Sequence, residues 1–210
     1  MAKQRPLRSA VIIAGGRSTR FGEADKAVAA LAGTPMIRIV ADRLTPVVDE
    51  LVVNCRGDQR EAIESAMTDF SLPVRYALDS EPDAGPMAGI GTGLSACRGE
   101  YAIVVACDMP FVEADIVQYL FERAESEAVD AVVPKLDDGW YQTTQAVYRT
   151  QSMANACRNA LERGERKILA PLDELEWVVA GEDELRVHGS LDTFENLNTR
   201  EEFEAAQSRF

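Results

Sequence analysis

The sequence predicts a three-layer α/β/α fold on a Rossmann-like, mostly parallel sheet, and three observations carry that prediction. Short β-branched runs alternate with longer stretches of helical spacing. The runs are apolar from end to end rather than at every second residue, as in strands covered on both faces. Glycines, carboxylates and prolines gather just after the runs, where an open parallel sheet binds its ligands.

In chain order, strands are expected at 10–14, 50–54, 74–78, 101–107 and 130–134, each rich in Val, Ile, Tyr or Ala. Helical spacing fills the intervals at 35–44, 59–67, 86–97, 113–125 and 151–163. Pro86 suits the first position of its helix, and Glu113 and Asp115 place acids in the first turn of the next. A further strand is expected at 145–148. The last third is less regular, with acidic segments at 173–184. A closing helix begins at Thr199, whose partner Glu202 completes a capping box. With no repeat, low-complexity tract or linker, residues 1–210 are read as one domain.

The chain has 210 residues, 46% hydrophobic and 27% charged, which excludes collagen-like, disordered and disulfide-rich classes. Its 35 acidic against 22 basic residues give a net charge of −13, so no nucleic-acid partner is expected, and any bound nucleotide needs a local positive pocket. Only 4 of the 22 basic residues are Lys. Such a surface suits concentrated salt, where screening removes self-repulsion, although a GC-rich genome would also favour Arg over Lys. Four cysteines without paired short spacing and a single His188 make neither a disulfide framework nor a zinc site, which points to a reducing, cytoplasmic setting. His188 itself is expected to be a surface or packing residue. The apolar stretch at 10–16 is too short to span a membrane and lacks signal-peptide form, so no membrane partner is expected.

The first strand is followed by Ala14-Gly15-Gly16-Arg17-Ser18-Thr19-Arg20-Phe21-Gly22 and then Lys26. Adjacent glycines let backbone amides approach a phosphate, and Arg17, Arg20 and Lys26 add positive charge. Neither Gly-x-Gly-x-x-Gly nor Gly-Lys-Ser/Thr occurs, so this is neither the dinucleotide fingerprint nor a P-loop. Asn54 ends the second strand, where its amide could read a base edge or form a turn. Asp79 ends the third, ahead of Gly85-Pro86-Met87-Ala88-Gly89. Cys107-Asp108-Met109-Pro110 ends the fourth. A carboxylate there is costly unless paired, and a divalent cation is the obvious partner, while capping of the next helix is the simpler alternative.

These motifs, from Ile13 to Lys26 and through Cys107-Asp108-Met109-Pro110 to Asn196-Leu197-Asn198-Thr199, resemble those of the molybdenum cofactor guanylyltransferase family. The resemblance runs from residue 9 to about 209 and implies a fold of the nucleotide-diphospho-sugar transferase type, with a GTP-binding N-terminal half and an acceptor-side C-terminal part. It implies transfer of GMP from GTP to molybdenum-bearing molybdopterin, with loss of pyrophosphate and Mg²⁺ on Asp108. Arg20, Lys26 and Asp108 become catalytic candidates. Ile13, Ala14, Gly15, Gly16, Lys26, Asn54, Asp79 and Asp108 become nucleotide-binding candidates, and Asn196 and Asn198 acceptor-binding ones. Molybdenum-cofactor biosynthesis proteins and apo-molybdoenzymes are the implied partners.

Sister readings are cobinamide-phosphate guanylyl transfer, molybdopterin cytidylyl transfer and a non-catalytic GTP or cofactor carrier. The Gly15-Gly16 pair speaks against the cytidylyl branch and the intact Lys26 and Asp108 against the carrier. Two segments fit less closely. Gln142 or Thr143 stands where the family commonly has a proline, and Gly164-Glu165-Arg166-Lys167 is either an acceptor-side segment or a solvated helix end.

Overall fold

The run Arg8–Ile13 forms β1, which sits in the middle of the sheet because its apolar side chains can be covered on both faces. The structure, a computed structural model, describes residues 5–16, 25–79 and 84–210. In chain order the remaining strands are β2 (Ala30–Leu31), β3 (Thr34–Pro35), β4 (Glu50–Cys55), β5 (Val74–Leu78), β6 (Tyr101–Ala106), β7 (Ala131–Lys135), β8 (Gln145–Arg149) and β9 (Trp177–Gly181). With β1, six of them make one sheet in the order β5-β4-β1-β6-β8-β7-β9, and β2 with β3 make a small separate hairpin. Within the large sheet β8 runs antiparallel to β6 and β7, and all other pairings are parallel. The β8 reversal follows from its short connection: β7 returns through a turn with Gly139 at φ +88°, and a tight return gives antiparallel pairing.

Helices cover both faces. On one lie α1 (Met36–Leu44), α2 (Arg60–Ala66), α4 (Ala114–Glu127) and α6 (Glu182–His188), packed on Ala10, Ile12, Val53 and Val105. On the other lie α3 (Pro86–Ser95) and α5 (Thr150–Glu162), packed on Val11, Val52 and Val104. Successive strand residues thus feed alternate cores, which is why the runs show no polar alternation. A third, smaller cluster joins Leu31, Met36 and Phe111 to Leu197 and to Phe203 of α7 (Arg200–Ala206), so the C-terminal helix packs beside the turn after β6.

The approach of α3 to the sheet depends on glycine. A Cβ on Gly89 would stand 2.4 Å from Asn54 Oδ1, and one on Gly93 would stand 2.4 Å from Val11 Cγ1. Those two positions, four apart on one helix face, bring the helix backbone onto β1 and β4.

The expected strands and helices occur with ends shifted by a residue or two, within the usual fraying of such boundaries. The capping box of α7 is present, with Glu202 N donating to Thr199 Oγ1 at 3.2 Å and Thr199 N to Glu202 Oε2 at 2.9 Å. The acidic segment 173–184, read only as irregular, contains β9 and the start of α6. β9 is only partly buried and becomes a strand by pairing with β7, a long-range cause that local periodicity does not display. His188 stacks on Tyr119 at 4.1 Å between ring centroids, a packing role. Asp108 does not cap α4: the N-cap is Glu113, whose own N–H donates to Thr193 Oγ1 at 3.0 Å.

No disulfide forms among the four cysteines. Burial pushes the thiols of Cys55 up to about 11 and of Cys97 and Cys157 up to about 12, and it raises that of Cys107 strongly as well. A thiol whose pKa is raised stays protonated and unreactive at pH 8. Labelling with an aromatic disulfide reagent should therefore be slow in the folded protein, and release of four thiolate equivalents should follow only on denaturation, monitored by absorbance.

Candidate active site

The register of the three central strands sets the site. Ile13 pairs with Asn54 of β4 and with Ala106 of β6, so the three strands end level. Backbone bonds carry the alignment one residue further: Ala14 N donates to Asn54 O at 2.8 Å, Cys107 N to Ile13 O at 3.0 Å and Asp79 N to Cys55 O at 3.0 Å. The loops after β1, β5 and β6 thereby meet at the carboxyl edge of the sheet. They surround a cavity of about 570 Å³, a size suited to a small-molecule ligand.

Ile13, Ala14, Gly15, Gly16, Lys26, Asn54, Asp79 and Asp108 all line this cavity, and so does Asn198. Arg20, with Arg17 and Gly22, lies outside the described residues. Asn196 is not in the lining, and its Nδ2 donates to Phe194 O at 3.2 Å, which makes it a brace of its own segment. Arg166 and Lys167 are exposed and also outside the lining, and Trp140 is 73% exposed beyond it.

Lys26 Nζ stands 2.8 Å from Asp108 Oδ2, with the lysine side chain 7% exposed and the aspartate 20%. The lysine is held in place by a 3₁₀ turn, Lys26–Val28, whose cap Asp25 accepts from Ala27 N at 3.0 Å. Asp108 Oδ1 is buried and has no hydrogen-bond partner. A buried carboxylate oxygen without a donor is an unmet acceptor, and a hard cation is the group that would satisfy it. Among the described residues no three His, Cys, Asp or Glu side chains come together as a metal cage. A single carboxylate fits Mg²⁺, which is usually held by one or two carboxylates and the phosphates of its substrate.

The nucleoside end of the cavity is built around Asp79. Asn54, 1% exposed, donates from Nδ2 to Ala77 O at 3.1 Å and to Asp79 Oδ1 at 2.8 Å. Both amide hydrogens are thus used within the protein, and Asn54 acts as the support that aims Asp79. Asp79 in turn sits against Gly15, where a Cβ would meet its Oδ2 at 2.5 Å. A side chain at the first glycine of the pair would therefore displace that carboxylate.

On the opposite wall, Leu197 N donates to Asp108 O at 2.9 Å and ties the Asn196 to Asn198 segment to the turn after β6. Asn198 N and Thr199 N both donate to Glu202 Oε2. Behind this wall lie two residues that sequence reasoning passed over. Gln145 Nε2 donates to Thr193 Oγ1 at 2.6 Å, and both side chains are fully buried. Arg56 and Gln59, after β4, both bond to the glycine loop; in sequence they read as the polar start of a helix, and only their tertiary position distinguishes them.

A doubly covered parallel sheet with a glycine loop, an adjacent lysine and a carboxylate at the next strand end defines an enzyme that handles nucleoside triphosphates. Residues 10–176 match the family described as the MobA-like NTP transferase domain, and the chain belongs to it. It is 48% identical over 202 residues to a probable molybdenum cofactor guanylyltransferase of Natronomonas pharaonis, covering 96% of this chain and 98% of that one. It is 33% identical over 193 residues to the molybdenum cofactor guanylyltransferase of Serratia proteamaculans, covering 91% and 90%. Among solved structures it is similar to molybdopterin-guanine dinucleotide biosynthesis protein A from Archaeoglobus fulgidus, with a TM-score of 0.78, 27% identity and 96% and 97% coverage. The chain is a nucleotidyltransferase.

Removing one partner of a buried ion pair typically costs about 3–5 kcal/mol, because it strands the other charge. Lys26→Met is expected to destabilise by about 3 kcal/mol in urea unfolding, and the double variant Lys26→Met/Asp108→Asn to recover most of that loss. Additive effects in this cycle would show that the two side chains do not depend on each other.

Proposed function

We propose that this chain transfers GMP from GTP to the terminal phosphate of molybdenum-bearing molybdopterin, forming the guanine dinucleotide and pyrophosphate. The observation that carries the reading is the Lys26–Asp108 pair, with its unmet buried oxygen, lining the same cavity as Gly15 and Gly16. The relatives that bear the name molybdenum cofactor guanylyltransferase, at up to 48% identity over nearly the whole chain, support the choice of nucleotide and acceptor.

An oxygen of the acceptor phosphate attacks the α-phosphorus of GTP, a new P–O bond forms there, and the bond to pyrophosphate breaks. Such a reaction asks the protein chiefly to position two anions and to balance the charge that collects on the leaving group. The Gly15 and Gly16 amides cradle the phosphates. The Lys26 ammonium, already oriented by Asp108, lies where it neutralises the leaving pyrophosphate, and Arg20 is assigned the same task from its place in the loop. Asp108 would hold Mg²⁺, which when bound supplies charge neutralisation on the triphosphate. Asp79, aimed by Asn54, meets the nucleoside together with the backbone at Ile13 and Ala14, since a carboxylate accepts from the donor groups of guanine or from ribose hydroxyls. Asn198 faces the acceptor from the other wall, and Asn196 shapes its segment.

The cavity joins both halves of the chain, which favours one nucleotidyltransferase domain over 1–210 with the acceptor on the C-terminal side. Among the described residues no helix is long and apolar enough to cross a membrane, and the four free cysteines favour a reducing, cytoplasmic setting. Molybdenum-cofactor biosynthesis proteins and apo-molybdoenzymes would supply the acceptor and take up the product. The net charge of −13 favours work at high salt, where the surface acids no longer repel one another.

The test is pyrophosphate release from GTP, CTP and ATP in turn, with Mg²⁺ and molybdopterin, at low and high salt. Release with GTP alone and only with the pterin is the expected outcome; release with CTP would move the activity to the cytidylyl branch, and GTP binding without release would leave a carrier. Asp108→Ala should abolish release while circular dichroism stays native. The unfolding temperature should rise as KCl goes from about 0.1 M to about 2 M, because screening within a few ångströms relieves repulsion among the surface acids.

A further inference from the structure

Residues 14–16 follow β1 and Asp25–Lys26 open the 3₁₀ turn, and two side chains from the β4–α2 connection bond to both segments. Arg56 Nη1 donates to Gly15 O at 2.9 Å and to Gly16 O at 2.9 Å. Gln59, 3% exposed, donates from Nε2 to Ala14 O at 3.0 Å and to Asp25 Oδ2 at 2.6 Å, and its Oε1 accepts from Arg56 N at 3.0 Å. Both amide hydrogens and the carbonyl oxygen of Gln59 are thus engaged. Asp25 is in turn the residue that caps the turn bearing Lys26. One buried amide therefore ties the end of β1 to Asp25, at the base of the lysine turn, across ten intervening residues.

A trans peptide is planar, so the N–H of one residue points opposite to the C=O of the residue before it. Fixing the Gly15 carbonyl toward Arg56 turns the Gly16 N–H the other way. Gly15 and Gly16 line the cavity, whereas Arg56 and Gln59 do not. The two side chains sit behind the loop and reach the ligand only through it.

We propose that Arg56 and Gln59 are positioning residues that preorganise the phosphate cradle, holding the glycine carbonyls away from the cavity so that backbone N–H faces the triphosphate. The proposal rests on the nucleotide-transfer reading of this cavity. Free glycine backbone samples many conformations, and a cradle that must be ordered at each binding event loses affinity to that ordering. With the carbonyls already held, the cost is met during folding. The triphosphate end of the ligand should feel the two residues far more than the nucleoside end, since Asp79 and Asn54 have their own supports and Ala14 stays tied to Asn54 O through its N–H.

The experiment compares binding of GTP and of guanosine, by displacement of a fluorescent GTP analogue, in wild type, Arg56→Met and Gln59→Leu, with circular dichroism to check folding. Both variants should lose GTP affinity by about tenfold or more while guanosine affinity stays within about twofold, the loss expected when a preorganised set of hydrogen bonds is released. Gln59→Leu is the decisive variant, because it changes no charge. An effect confined to Arg56→Met would mean that the guanidinium contacts phosphate directly, and would overturn the positioning role, as would an equal loss for both ligands or none for either. If Gln59→Leu does not fold, Gln59→Asn keeps the amide but is one methylene too short to span the loop, and the same selective loss of GTP is expected. Wild-type protein that binds no GTP would instead overturn the nucleotide reading itself.

Discussion

A carboxylate at the end of a strand covered on both faces is the constraint around which this molecule is organised. Asp108 stands where β6 leaves the sheet with its side chain only 20% exposed, and a carboxylate with so little water around it calls for a partner. Lys26 is that partner, at 2.8 Å. Lys26 follows the glycine pair in the chain, and its ion pair with Asp108 holds it at the carboxyl edge of the sheet. The glycine pair and the charged pair thus line one cavity. The pairing leaves one carboxylate oxygen unmet, and that residual demand is what a cation on a triphosphate would answer.

The rest of the site is support rather than contact. Asn54 uses its amide to aim Asp79, and Gly15 leaves room for that carboxylate. Gly89 lets α3 lie against Asn54, which buries the amide further. On the acceptor wall, Thr193 accepts from Gln145 and from the first N–H of the α4 cap, fixing the segment that reaches the Asp108 carbonyl through Leu197. Most of these partners are buried and neutral, so they set geometry without adding charge to a cavity that already has to balance anions.

The alternation of apolar runs and helical stretches determined the class of fold and the approximate position of its main elements, because a strand covered on both faces has few sequences open to it. It also placed the chemistry, since a parallel sheet puts ligands after its strands and Gly15, Gly16, Asn54, Asp79 and Asp108 are the residues found there. Lys26 was legible as the cation of the same loop. Sequence alone left β9 and α6 unread, since the strand owes its form to pairing with β7. It also assigned Asn196 to the acceptor, whereas its amide bonds to Phe194 within its own segment; Asn54 stays on the cavity wall, with Nδ2 on Asp79 and Oδ1 unpartnered.

What only the tertiary structure decided are the long-range partnerships: Lys26 with Asp108 across 82 positions, Asn54 with Asp79, Gln145 with Thr193, and Arg56 and Gln59 behind the glycine loop. The reason is physical. Burial and periodicity are properties of a residue and its neighbours in sequence, and they appear in the order of amino acids. A hydrogen bond between side chains from different loops depends on strand order and register, which are set by the packing of the whole sheet.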